Sequence, residues 1–165
     1  MRAGLIEQLD ILESAKRSIT SKKVTAFIGA HRSGKSTFLE IIEEKLRAEN
    51  FKSLKVKVSL GATTSNLIRE ITGQISTDLR AIADELHVES FLRYLNSNKI
   101  ILMLDDFQNV TDPDQFIEGM LDRLTAGRLI LSATSLPSIS KDRIFEMGIV
   151  RSRSFNLDEV AKLSS

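Results

Sequence analysis

The chain contains no cysteine, so it can form neither a disulfide framework nor a thiolate metal site. Its two histidines, His31 and His87, are too few for a histidine metal cluster. No apolar run approaches the roughly 20 residues that span a bilayer. The N-terminal stretch 1–7 carries an acidic residue, Glu7, where a signal peptide needs an unbroken apolar segment. We therefore expect a cytoplasmic protein with no membrane partner.

The chain also lacks a large excess of positive or negative charge: its net charge is +1. This balance argues against a protein dominated by contacts with a phosphate backbone, although it allows a local basic face. The length of 165 residues suits one domain, and a hydrophobic fraction of 42% is enough for a core. With no linker, repeat or low-complexity segment in the sequence, the chain is expected to form a single domain.

A glycine-rich motif stands near the start of the chain. Residues 29–36 read G-x-x-x-x-G-K-S, between an apolar run at 24–28 that predicts a buried strand and an amphipathic stretch at 37–46 that predicts a helix. A glycine-rich turn between a strand and a helix points backbone N–H groups at phosphate oxygens, and the helix dipole adds positive charge. Lys35 is expected to reach the β- and γ-phosphates, and the Ser36 hydroxyl to bind Mg²⁺. The predicted nucleotide-binding residues are Gly29, Ala30, His31, Arg32, Ser33, Gly34, Lys35, Ser36 and Thr37.

Two acids follow the apolar run 99–104, which is typical of a central parallel strand buried on both faces. A carboxylate at the C-terminal end of such a strand lies in the crevice where α/β sheets bind ligands. We expect Asp105 to hold Mg²⁺ opposite Ser36 and Asp106 to polarise the attacking water. Thr134 and Ser132, which end the next apolar run, are both candidates for a polar contact with the γ-phosphate or that water.

Two arginines alternate along the last predicted strand, near the end of the chain. Arg151 or Arg153 is a candidate arginine finger, which would reach the γ-phosphate of a neighbouring subunit. A solvated basic edge is the alternative interpretation of the same two residues.

Hydrophobic periodicity and cap signals predict the remaining elements. Helices are predicted at 3–20, 65–86, 88–95 and 113–127, with Ser65 and Asp112 as N-caps and Gly127 as the last helix end, and strands at 52–60, 128–132 and 149–155. Because strands alternate with helices, we predict a three-layer α/β fold with a doubly wound parallel sheet. Residues 1–20 are expected to be a helix packed on a core domain of residues 21–165.

Three stretches together resemble AAA+ ATPases and their signalling relatives, the STAND ATPases, above all the archaeal-type and origin-recognition ATPases. They are 29–37, the segment 102–108 with its Asp105-Asp106 pair, and 129–134; the stretch 143–157 is similar to the region of the arginine finger and fifth strand. The resemblance covers nearly the whole chain from residue 20. It implies a P-loop NTPase sheet in the order 5-1-4-3-2, ATP and Mg²⁺ as cofactors, and ATP hydrolysis that drives a conformational or assembly switch. It also implies a homo-oligomer or a lid domain or partner chain, with nucleic acid as a further candidate partner.

Two departures from that family bear on activity. Asp106 stands where Glu is commoner and is one methylene shorter, so we expect slow hydrolysis. The chain also stops at Ser165, where such ATPases usually continue into a helical lid. We therefore expect the lid to be absent and the nucleotide to be weakly retained.

Three other functions remain in competition at this stage. A small-molecule kinase also uses this loop, but the arginine cluster of a kinase lid is not evident in the middle of the chain. A GTPase needs N-K-x-D and D-x-x-G, whereas residues 98–101 read N-K-I-I and Gln108 lies three positions after Asp105. An adaptor module that binds nucleotide without turnover is favoured by Asp106 and the missing lid.

Overall fold

The computed structural model describes residues 2–75, 84–137 and 139–152. The helices in these ranges are α1 (Arg2–Ser21), α2 (Lys35–Ala48), α3 (Thr64–Ile75), α4 (Asp84–Ser97) and α5 (Pro113–Arg123). The strands are β1 (Val24–Ile28), β2 (Lys52–Lys57), β3 (Ile100–Asp105), β4 (Arg128–Ala133) and β5 (Met147–Arg151). Short 3-10 turns cover Phe107–Asn109 and Ile144–Glu146. Across the described ranges, every helix is too short or too polar to cross a bilayer.

The five strands form one parallel sheet in the order β2-β3-β4-β1-β5. Read from the other edge this is 5-1-4-3-2, so the predicted fold class and strand order are confirmed. β1 and β3 are buried at every position, as expected for inner strands covered on both faces. β2 forms one edge and exposes Lys52 and Lys57, which explains its alternating sequence.

Helices cover both faces of the sheet and create two apolar clusters. On one face α1 and α2 bury Ile11, Leu12, Ala15, Ile19, Phe38, Leu39 and Ile42 against Phe27, Met103 and Ile130. The rings of Phe27 and Phe38 meet edge to face with centroids 4.9 Å apart. On the other face α3, α4 and α5 contribute Leu67, Ile71, Phe91, Leu95, Phe116 and Ile117 to a larger cluster. Because both faces are covered, ligand chemistry is left to the two ends of the strands.

Two predicted helix boundaries in the middle of the chain are wrong. α3 begins at Thr64, and the Thr63 hydroxyl accepts the Asn66 N–H at 3.2 Å, so Thr63 and not Ser65 caps it. The predicted end of a helix at 86 lies inside α4, which begins at Asp84. The predicted apolar stripe at Leu79 and Ile82 lies outside the described residues.

Three predicted ends near the sheet are also wrong. α5 stops at Arg123 because buried Leu124 turns to an extended conformation, and Gly127 instead donates its N–H to Asn96 Oδ1 at 3.0 Å in the turn before β4. β2 ends at Lys57 rather than at 60. β5 covers Met147–Arg151 rather than 149–155, and residues 153–155 lie outside the described ranges.

Asp112 precedes α5 as predicted, but its carboxylate serves another helix. Asp112 Oδ1 accepts the backbone N–H of Thr64 at 2.8 Å, whereas α5 receives no side-chain cap from it. The interaction satisfies one of the open N–H groups at the start of α3. Asp112 thereby links the start of α3 to the start of α5 at the carboxyl end of the sheet.

Candidate nucleotide-binding site

The loop between β1 and α2 is shaped by two left-handed backbone positions. Gly34 has φ 90° and Arg32 has φ 62°. Glycine adopts this conformation without steric cost, whereas a residue such as Arg32 does so rarely. Gly29 N–H donates to Ala133 O at 3.1 Å, which fixes the start of the loop to the end of β4. As the N-cap of α2, Gly34 has no side chain to occupy the helix N-terminus, which is left for an anion.

Lys35 lies at the first position of α2 and is 6% exposed. Its ammonium donates to the carbonyl oxygens of Gly29 and Ala30 at 2.6 and 2.7 Å and lies 3.4 Å from Ser33 Oγ. Burial lowers the pKa of Lys35, because it disfavours the charged form. The negative charges of Asp106 and Asp105 oppose this shift. The loop thus holds its own lysine folded back on the backbone.

Asp105 joins three elements at the carboxyl end of the sheet. Its Oδ2 accepts the Ser36 hydroxyl of α2 at 2.7 Å. Its Oδ1 accepts the Ser132 hydroxyl of β4 at 2.5 Å and the N–H of Asp106 at 3.1 Å. Asp105 is 9% exposed and Ser132 is fully buried, so these two residues lie largely out of solvent, whereas Ser36 is exposed. The short contacts of Asp105 hold its carboxylate beside the first turn of α2.

Asp106 has a left-handed backbone, with φ 62° and ψ 45°. Its N–H also donates to Ser132 Oγ at 3.1 Å. Its half-buried carboxylate is held from two sides: Gln108 Nε2 donates to Oδ1 at 3.3 Å, and Lys57 Nζ lies 3.8 Å from Oδ2. The left-handed turn directs the chain from β3 into the 3-10 turn that carries Gln108.

The other predicted site residues are more scattered. Ala30, His31 and Arg32 are exposed on the outside of the loop, and Thr37 is exposed in the first turn of α2. Thr134 lies one residue after β4 and is partly exposed; within the described residues no hydrogen bond joins it to either acid, whereas Ser132 bonds to both. Arg151 is exposed at the end of β5, opposite Ile28 in the register, and Arg153 lies outside the described residues.

Lys57 and Gln108 are two residues of this site that sequence reasoning missed. Lys57 ends β2 and stands opposite Asp105 in the parallel register of β2 and β3. The alternation of polar and apolar residues in β2 indicates an edge strand, but it does not by itself indicate which strand is the neighbour of β2. Gln108 comes two residues after Asp106, so its position was visible, but its contact depends on the left-handed turn between them.

The comparisons with known proteins agree with this geometry. Residues 17–139 match the sequence profile of a family described as "AAA domain". None of the curated proteins matches the chain at a significant level.

Solved structures of similar fold include Cdc6p from Pyrobaculum aerophilum, at a TM-score of 0.62 and 16% identity over 91% of this chain and 44% of the other. ORC2 from Aeropyrum pernix, in ADPNP-ADP complexes, has a TM-score of 0.58 and 12% identity over 94% and 50% of the two chains. Drosophila ORC bound to DNA has a TM-score of 0.55 and 12% identity over 90% and 42%. The chain therefore spans half or less of the length of these structures, which at such identities show a shared fold. With the profile match across most of its length and a P-loop sheet of matching architecture, the chain belongs to the AAA domain family of P-loop ATPases.

Proposed function

We propose that the chain binds ATP with Mg²⁺ and hydrolyses it slowly, as the core of an AAA+ type conformational or assembly switch. One observation carries the proposal: a lysine of the loop, a hydroxyl of α2 and a carboxylate of β3 meet at one end of the sheet. The Ser36 hydroxyl lies 2.7 Å from Asp105 Oδ2, and Lys35 is buried in the adjoining loop. Membership of the AAA domain family supports the same activity.

The contact between Ser36 and Asp105 fits a magnesium site. Mg²⁺ prefers oxygen ligands and usually keeps several waters besides one or two protein groups and substrate phosphates. In the described part of the chain, no group of three or more His, Asp or Glu side chains lies close enough together to hold a metal ion. The arrangement therefore does not provide a metal site made of protein ligands alone. When bound, the Mg²⁺ of an ATP complex supplies positive charge to the phosphate oxygens.

Lys35 is proposed to bind the β- and γ-phosphates after leaving its present partners. Its ammonium now donates to Gly29 O and Ala30 O, which lie within the same loop. A phosphate at the open N-terminus of α2 offers charged acceptors in place of neutral carbonyls, and hydrogen bonds between ionised groups are stronger. The loop therefore has an alternative set of bonds ready for the ligand.

Asp106 is proposed to orient the attacking water, and Ser132 is proposed to position both acids. The Ser132 hydroxyl contacts Asp105 Oδ1 and the N–H of Asp106, so it links the metal-side carboxylate to the backbone that carries the second one. Thr134 is a further candidate for contact with the γ-phosphate or the water, since it lies at the end of β4 next to this group.

The test is multiple-turnover phosphate release by the full chain with Mg-ATP, together with direct ATP binding. Lys35→Ala is expected to abolish both. Asp106→Asn is expected to lower kcat about a hundredfold, the usual range for a lost catalytic base, while ATP affinity stays within about threefold. Asp114→Asn, which removes an exposed carboxylate of α5, serves as the matched control. Phosphate release that survives Lys35→Ala would refute the proposal.

A second candidate function is a nucleotide-binding adaptor without turnover. The observation in its favour is that the Asp106 carboxylate is already engaged by Lys57 and Gln108. Under this alternative, ATP binds in a Lys35-dependent manner but phosphate release stops below one turnover. The same two assays therefore separate it from the ATPase.

The proposed setting is an assembly that handles DNA, with further copies of the chain, a lid domain or another protein as partners. The support is fold similarity to ORC bound to DNA, and it comes from the Drosophila protein rather than from this chain. Sizing of the chain with and without a non-hydrolysable ATP analogue, each in the presence and absence of a DNA duplex, tests this setting. A chain that stays monomeric and ignores DNA in all four conditions would contradict it.

A further inference from the structure

A cavity of about 480 Å³ opens at the end of the sheet where the strands begin, opposite the phosphate loop. It lies between the C-terminal halves of α1 and α2, above the first residues of β3 and β4. Five strands spaced about 4.8 Å apart form a face that is slightly wider than the width covered by two helices, each about 10 Å in diameter. We call this cavity, with its apolar floor and its cationic rim, the basal groove.

The floor of the basal groove is apolar. It consists of Ile19, Ile42, Leu46, Phe51 and Ile101. Four of these side chains are buried in the core, whereas Phe51 at the edge of the cavity is 45% exposed. The volume falls within the roughly 300–1,000 Å³ typical of ligand pockets. An exposed aromatic beside a concave apolar floor is the chemistry of an anchor site.

The rim of the basal groove is positively charged. Four cations, Lys16, Lys45, Lys99 and Arg128, surround it, against one acid, Glu49. None of the four takes part in an ion pair between described residues. The C-termini of α1 and α2 point to this edge and favour some positive charge there. The helix dipoles explain some of the positive charge, but they do not explain why it surrounds an open apolar floor.

We propose that the basal groove binds an acidic amphipathic segment of a partner protein. Apolar side chains of the segment occupy the cavity and contact Phe51, and its Asp and Glu side chains pair with the four cations. Charge complementarity argues for this occupant, because a rim whose cations form no ion pair between described residues favours an acidic ligand and disfavours a basic one. Arg128 also donates to the carbonyl oxygens of Thr125 and Gly127 at 2.8 Å, so the three lysines of the rim carry most of this argument. A DNA duplex keeps its bases stacked inside the double helix and would leave the apolar floor unfilled, and a membrane surface does not enter a cavity of side-chain size.

Two fluorescent peptides of equal length test the proposal by anisotropy with the full chain. Both carry the same Leu and Phe positions; one places Glu and Asp at all other positions, and the second places Lys there. The acidic peptide is expected to bind with saturation and the basic one not to bind. Lys16→Glu/Lys99→Glu is expected to weaken acidic binding at least about tenfold, and Phe51→Ser about fivefold.

A matched control reverses the same amount of charge elsewhere. Arg93→Glu/Lys141→Glu changes two exposed cations outside the groove and is expected to leave affinity within about twofold. Thermal unfolding and ATP binding, which use the other end of the sheet, verify that each variant is folded. The proposal is overturned if the two peptides bind alike, if Lys16→Glu/Lys99→Glu binds the acidic peptide like the original chain, or if the control weakens binding equally. It is also overturned if Lys16→Glu/Lys99→Glu loses binding to anionic vesicles or to a DNA duplex while its binding of the acidic peptide is unchanged.

Discussion

The carboxylate of Asp106 is contacted by two side chains from different elements, Lys57 at the end of β2 and Gln108 in the following turn. Lys57 is 78% exposed, so its ion pair is the weak kind found at surfaces. A weak partner of a proposed catalytic group influences the reaction more than the fold, because it competes with water for the same oxygen. The side chain at position 57 is thus expected to influence the rate of the proposed hydrolysis.

We predict that Lys57→Met raises kcat. An exposed ion pair contributes up to about 1 kcal/mol, which corresponds to a rate increase of up to about fivefold. The ATP dissociation constant and the free energy of unfolding should change little. Steady-state phosphate release checks the rate, with Lys55→Met as the control, because Lys55 on the same strand pairs with Glu40 and Glu43 instead. A fall in kcat would show that Lys57 positions Asp106 rather than restrains it.

Lys35 is expected to make the proposed ATP binding dependent on pH at the alkaline end. Burial holds its pKa below that of a free lysine, and a bound phosphate favours the ammonium and raises the pKa again. Between these two values binding takes up a proton, so we predict that ATP affinity falls as the pH rises through the lowered pKa of the free protein. Titration calorimetry in buffers of different ionisation enthalpy measures this uptake. Lys35→Arg, which stays charged, should bind without it; equal uptake in that variant would assign the proton to another group.

At the scale of elements, the contact between α1 and β5 depends on a missing side chain. A Cβ built on Gly148 of β5 would lie 2.7 Å from both Cβ and Oγ of Ser18 in α1, and 3.2 Å from Thr25 Oγ1. Real Cβ atoms do not approach so closely, so one of the two elements would have to shift. The position of α1 on the sheet is therefore fixed by a glycine in the last strand.

We predict that Gly148→Ala lowers the free energy of unfolding by about 1–3 kcal/mol, the range for overpacking. Urea denaturation measures it. Gly119→Ala provides the control, since a Cβ there meets nothing within 4 Å and alanine should stabilise α5 by about 0.5–1 kcal/mol. Adding Ser18→Gly should recover part of the loss. If Gly148→Ala and Gly119→Ala behave alike, the steric account is wrong.

Local signals allowed most elements to be predicted, whereas contacts across the fold could not be. The glycine loop and the apolar strand before Asp105 carry their structure in short patterns, and the family resemblance supplied the strand order. The hydrogen bond from the Thr64 N–H of α3 to Asp112 could not be foreseen, because Asp112 lies 48 residues away in sequence and precedes a helix that it could cap itself. Likewise, the approach of Lys57 to Asp106 depends on the register of two strands that are far apart in sequence.

At the scale of the whole molecule, we propose that Arg151, the exposed residue at the end of edge strand β5, acts on a neighbouring subunit. Arg151 ends this edge strand beside the start of the phosphate loop, because it stands opposite Ile28. It is exposed, as an arginine that acts on a neighbouring subunit needs to be. Arg143, by contrast, is held by Asp122 and Glu146 at 2.7 and 2.8 Å and is not free to reach out.

We predict that kcat rises with chain concentration and that Arg151→Ala removes this rise. Arginine fingers commonly contribute a thousandfold or more, so a loss of at least about a hundredfold is expected at high concentration, with ATP affinity unchanged. Arg93→Ala, an exposed arginine of α4, is the control. Concentration-dependent turnover that persists in Arg151→Ala would leave this arginine as a solvated edge residue.

The ammonium of Lys35 is bonded to two carbonyl oxygens of its own loop, so any incoming anion has to compete with these oxygens for it. A compact ion such as orthophosphate offers one tetrahedral group against two short bonds supplied by the chain itself. A polyphosphate brings several linked groups and a divalent metal in one encounter, so it can displace these oxygens where a lone anion does not. Where free phosphate is abundant, such an arrangement is expected to favour the proposed nucleotide over the small ion.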